Sequence, residues 1–226
     1  MTTNTIFKAE PSKRREAVEK LIQGGSPRKT FFLMITLSIA LATLGLLIDN
    51  IPVIIGAMLV APILSPVLCI GMGVVILDYK LIRFSIFAVL KAIILSVVVA
   101  VLITLIVGAR GSEGALIYQM EPNYIFICIA LISGLAAAFA WGHPKMGETL
   151  PGVAISVALI PPIAAVGIGA VLLDWQMIQH SAQLFLLNLV CIILISILVF
   201  HLMGFYKERK SAEKAVKKEE KILKEE

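Results

Sequence analysis

Charge is scarce in this chain. Only 15% of its 226 residues are Asp, Glu, Lys or Arg, 59% are hydrophobic, and the mean hydropathy is +0.95. A soluble domain has about a quarter of its residues charged and less than half apolar. The composition therefore excludes an ordinary water-soluble globule and points to an integral membrane protein. Catalytic signatures are missing as well: there is no carboxylate pair, HExxH, GxSxG or phosphate loop, so no enzyme is expected. Cysteine is limited to Cys69, Cys128 and Cys191, each in an apolar segment with no CxxC spacing and no neighbouring histidine. They read as small buried hydrophobes, and no metal, cofactor or disulfide is expected. Carboxylates are absent from the apolar runs, which removes the usual means of proton coupling. Seven cations precede the first run, which argues against a cleavable signal peptide.

Six apolar stretches are present, at about 30–48, 51–77, 84–108, 123–141, 149–173 and 181–205. Each can cross a hydrocarbon core, which takes about 20 helical residues. The second would make a straight helix of about 40 Å, so it must tilt, project or break. The basic residues lie at the ends of the chain, seven before residue 30 and eight after residue 206, with Lys80, Arg83 and Lys145 in alternate loops. The opposite loops hold Asp49, Glu113, Glu121 and Asp174 against one cation, Arg110. This bias predicts a multi-pass protein of the plasma membrane with both termini cytoplasmic. Three parts follow: a basic juxtamembrane helix at 1–29, a transmembrane domain at 30–205 and a charged tail at 206–226. The basic ends suit anionic lipid rather than nucleic acid. In the tail, Ala212, Val216 and Leu223 offer a weak apolar seam, but a solvated tail is the favoured reading.

Residues 54–85 laid over 150–181, at an offset of 96 without gaps, share nine identities. Gly56, Pro66, Gly71 and Gly73 meet Gly152, Pro162, Gly167 and Gly169, and Val75, Leu77, Asp78, Ile82 and Ser85 meet Val171, Leu173, Asp174, Ile178 and Ser181. Apolar bias alone would give roughly three. The repeats are 30–108 and 123–205. Because three spans is an odd number, the second copy enters from the other face. The expected fold is all-α, six transmembrane helices in two inverted three-helix halves, with helices two and five broken at proline.

Pro62 and Pro66, around Ser65, fall near the middle of the second stretch, and Pro161 and Pro162 near the middle of the fifth. A proline within a helix removes a hydrogen bond that lipid does not replace. Either the prolines only kink two helices to fit a bundle, or unwound backbone lines a path for a small neutral or anionic solute. The candidate path residues are Gly56, Pro62, Ser65, Pro66, Lys91, Gly152, Ser156, Pro161, Pro162 and Asn188. Lys91 is the one ionisable group well inside a stretch, and it either snorkels or joins the path. Asn188, close to the repeat mate of Lys91, is interhelical glue or a ligand. A second class of function is a non-transporting scaffold or sensor whose tails hold anionic lipid or a partner. The row Ala130, Gly134, Ala138 suits close helix contact within a protomer or in a homo-oligomer.

The segments "IGAMLVAPILSP" (55–66) and "PGVAISVALIPP" (151–162) resemble a family of hydrophobic prokaryotic membrane proteins known as domain of unknown function 389. The resemblance covers residues 30 to 205. It implies a membrane-embedded helical domain and names no activity. Where many members have an arginine-threonine pair before the fourth span, this chain has "YQMEPN".

Overall fold

The computed structural model describes residues 11–108, 123–143 and 159–225, and every regular element among them is helical. In chain order these are α1 (Pro11–Gly24), α2 (Lys29–Leu47), α3 (Ile51–Val60), α4 (Leu64–Ile76), α5 (Tyr79–Val107), α6 (Tyr124–Gly142), α7 (Ile160–Leu172), α8 (Trp175–Leu202), a 3-10 turn (Phe205–Lys207) and α9 (Arg209–Glu225). Four of them, α2, α5, α6 and α8, are long and apolar enough to cross a membrane. The pair α3 and α4 makes a fifth candidate, bent by 51° at a short break. α7 is apolar but shorter, and residues 149–158 of the fifth apolar stretch lie outside the described residues.

One local code builds three of the helix-to-helix turns. Gly45, Gly73 and Gly169 each stand five residues before a helix-starting Asn50, Asp78 or Asp174, whose backbone N–H bonds back to the glycine carbonyl at 2.8, 3.0 and 3.0 Å. The residue between, Asp49, Leu77 or Leu173, turns into the left-handed region at φ 54, 55 and 57°. This is the Schellman closure of a helix end. The polar residue then caps the next helix: Asn50 accepts from Val53 N, Asp78 from Lys80 N and Leu81 N, and Asp174 from Met177 N. Four residues on, Ile54, Ile82 or Ile178 lies against the glycine. A Cβ there would sit 2.9, 2.7 or 3.0 Å from the isoleucine Cγ1, so only glycine lets the two helices fold back this tightly.

The repeat is visible in the element bounds. α4 and α7 each have 13 residues and begin 96 positions apart, at Leu64 and Ile160. The long helices α5 and α8 begin 96 apart, at Tyr79 and Trp175. α4 packs on α5 and on α8, α7 packs on α8 and on α5, α2 packs on α3, α5 and α7, and α6 packs on α8. Leu68, Met72, Leu159, Ile163 and Ile168 fill the centre, all nearly inaccessible.

The two ends of the chain meet. α1 buries Ala17, Val18, Leu21 and Ile22 against α4, and α9 packs on α1 and along α5. Burying Val18, Leu21 and Ile22 stabilises this docking by about 1.5–3 kcal/mol each. The solvated tail favoured by the sequence is therefore corrected. Ala212 and Val216 are buried, and the seam they form is closed by ion pairs. Arg28 grips Glu219 with three hydrogen bonds of 2.6–2.9 Å, and Arg14 and Arg15 approach Glu208 at 3.4 and 3.5 Å. Glu208 and Glu219 are buried, so each needs its arginine.

Candidate functional site at the broken helix

α3 ends at Ala61, whose ψ of 119° leaves the helix, and α4 resumes at Leu64. Pro62 occupies the gap. It has no N–H to return to the carbonyl of Met58, four residues earlier. α2 helps to satisfy the exposed end of α3, since Ser38 Oγ donates to the Ala57 carbonyl at 2.7 Å. This is a hydroxyl replacing backbone pairing where lipid offers none. The sequence reading did not include Ser38. Its only signal was a serine at the centre of the first apolar stretch, between Thr36 and Thr43.

The remaining prolines do something other than kink helices. Pro66 is the third residue of α4, and Pro161 and Pro162 are the second and third of α7. A first-turn N–H has no partner within its own helix, so proline fits there without loss. Each such proline also removes a donor that would otherwise need water or a ligand. The two half-helices can therefore begin in dry surroundings, and they do. Ile63, Leu64, Ser65, Pro66, Ile160, Pro161, Pro162 and Ile163 are all buried. Of the two readings the prolines allowed, these three positions fit helix starts and not kinks within a continuous helix.

The break is covered by α1 and its exit. A Cβ on Gly25 would lie 3.0 Å from Pro66 N and Cα, and one on Gly24 would lie 3.1 Å from Ser65 Oγ and 3.7 Å from the Trp141 ring. Cys69 Sγ sits 3.4 Å from the Leu21 carbonyl. The Gly24–Gly25 pair at the end of α1 is the seat on which the break rests.

The half-helices dock crosswise. Gly71 of α4 abuts Ser196 and the Ile193 carbonyl of α8, and Gly167 of α7 abuts Ala100 and the Val97 carbonyl of α5. Ala100 and Val97 are themselves 96 positions before Ser196 and Ile193. α4 thus meets α8, and α7 meets α5, at the same register.

The other candidate residues fall as follows. Asn188 is buried in α8, facing the core. Gly56 is half-buried, with open space where a Cβ would point. Lys91 is exposed and lines a cleft of about 490 Å³ between α5 and α9, with Arg83, Phe87, Glu220 and Lys224. It belongs to that surface and not to the break. Gly152 and Ser156 lie outside the described residues. Ala138 and Gly134 are spent inside the protomer: a Cβ on Gly134 would lie 2.5 Å from Ile195 and 3.1 Å from Ile192 Cα of α8. Among the described residues no group of three His, Cys, Asp or Glu is placed to hold a metal.

The chain is 27% identical to an uncharacterized protein of Methanocaldococcus jannaschii, over 89% of this chain and 66% of that protein's length. No solved structure matches it. Residues 58–194, which hold the break and both half-helices, match the family described as domain of unknown function (DUF389), and the chain belongs to that family.

Proposed function

We propose that the chain is a six-span plasma-membrane protein made of two inverted halves, and that it passes or binds a small neutral solute along the half-helices, closed in this conformation by α1. The observation that carries this reading is the crosswise docking of α4 and α7. A two-fold exchange between halves of three spans each requires opposite insertion, the plan on which many transporter sites are built. The basic loops favour cytoplasmic termini, and the contact of α1 with α9 supports a shared side for them.

Charge narrows the solute. Lys91 faces the tail, and the prolines strip donors from the helix starts that would hold an anion. Apart from the helix-capping carboxylate of Asp78, the polar side chains buried in the bundle are hydroxyls and one amide, among them Ser38, Ser65, Ser96, Ser181, Ser196 and Asn188. Among the described residues, Ser96 Oγ and Ser181 Oγ have no hydrogen-bond partner. Such a lining suits a polyol or amide better than an ion.

The test is flux into proteoliposomes of glycerol, urea, chloride and phosphate, with the native chain and Gly25→Val. The valine is expected to unseat α1 and raise glycerol or urea flux above that of the native chain. Background flux of every solute through both proteins would defeat the proposal. One observation favours the second reading, a scaffold or sensor: the break is packed in apolar side chains, and the clefts lie among the tail helices. Background flux would leave that reading standing.

A further inference from the structure

We propose that the cleft between α5 and α9 is a binding site for one anionic phospholipid, with its phosphodiester held by Lys80, Arg83, Lys91 and Lys224. These four cations line the cleft with a single carboxylate, Glu220. Lys80, Lys91 and Lys224 have no ion-pair partner among the described residues, and Arg83 rests over the Phe87 ring at 5.9 Å. Elsewhere in the tail helices the buried acids are matched, Glu219 by Arg28 and Glu208 by Arg14 and Arg15. Four cations against one carboxylate leave this hollow with an excess of positive charge, and its floor is Phe84, Phe87 and Leu223. Cations beside apolar walls complement a headgroup joined to a hydrocarbon chain, and free phosphate would leave the walls unmatched.

α5 continues the same face away from the cleft as Leu90, Ile94, Val98, Leu102 and Leu105, each about half exposed or more. From Lys91 to Leu105 the helix rises about 21 Å, close to the length of one extended acyl chain. Head and tail of one amphiphile thus find matching surfaces on one helix. α9 closes the cleft from the side, so a bound lipid would join the C-terminal helix to the bundle. The proposal rests on the membrane reading above but not on any solute passing.

The experiment uses the full chain purified in detergent and counts bound lipid by native mass spectrometry, with thermal unfolding in parallel. Phosphatidylglycerol is compared with phosphatidylcholine and with inorganic phosphate. The cleft variant is Arg83→Gln with Lys91→Gln and Lys224→Gln. The control, with the same charge change elsewhere on α9, is Lys210→Gln with Lys214→Gln and Lys218→Gln. Expected is one tightly held phosphatidylglycerol that raises the unfolding temperature, with affinity at least about tenfold lower in the cleft variant and unchanged in the control. Equal binding of phosphatidylcholine by the native chain would overturn the proposal, and that comparison needs no variant to fold. Equal loss in the control would overturn it too. Stabilisation by inorganic phosphate alone would reassign the cleft to a free anion. The flux assay reads separately whether a solute crosses.

Discussion

At the scale of single residues, the turn code explains most of the repeat. Six of the nine matched pairs gain a reason: Pro66 and Pro162 start half-helices, Gly71 and Gly167 dock on the opposite long helices, and Gly73 with Leu77, Asp78 and Ile82 forms a hairpin as their mates do. Ser85 and Ser181 are buried alike. Val75 and Val171 have no account in the contacts. The matches were legible as matches, but the turns were not, because a leucine in the left-handed region carries no signature of its own. That conformation costs a side chain roughly 1–2 kcal/mol. Leu77 and Leu173 are both well exposed, so Leu77→Gly or Leu173→Gly should stabilise the protein by about 0.5–1 kcal/mol, seen as a higher midpoint in thermal unfolding. Ser38→Ala should do the opposite. It leaves the Ala57 carbonyl short of a donor, a loss of about 1–2 kcal/mol in the same measurement.

At the scale of elements, hydropathy located the apolar helices, four or five of them candidate spans, and glycine and proline spacing located the 96-residue offset between α4 and α7. The role of the prolines was not legible, because a proline inside a helix and one in its first turn look alike in a continuous apolar run. The docking of α9 was disfavoured for a related reason. Its apolar residues are few and small, and what buries them is α1, some 190 positions away, with Arg28 and Glu219 clasped between. The docking glycines give a direct comparison. Gly71→Ala and Gly167→Ala should each cost about 1–3 kcal/mol, since the added carbon meets the opposite long helix at its backbone. Gly56→Ala meets open space and should be tolerated, or stabilise α3 by up to about 1 kcal/mol. Parallel unfolding curves in detergent would separate the three. Equal behaviour would mean that the crosswise docking contributes nothing.

At the scale of the whole molecule, the arrangement predicts sidedness. Tyr79 and Trp175 are repeat mates, each 74% exposed at the start of a long helix. With the native cysteines replaced, Tyr79→Cys should react with an impermeant thiol reagent from the cytoplasmic side and Trp175→Cys from the other. Labelling of both from one side would rule out inverted halves. The Arg28–Glu219 clasp should matter to the whole as well. Arg28→Ala strands a buried carboxylate, should cost about 3 kcal/mol, and should expose α9 to trypsin. That clasp also sets an order of events during synthesis. Arg28 leaves the ribosome 191 residues ahead of Glu219, a delay of about 10–40 s at about 5–20 residues per second. Through that interval α1 has no α9 to hold it over the break. Until then α1 stays over the junction at Pro62 only by its own contacts with α4, and the clasp closes only once α9 has been made.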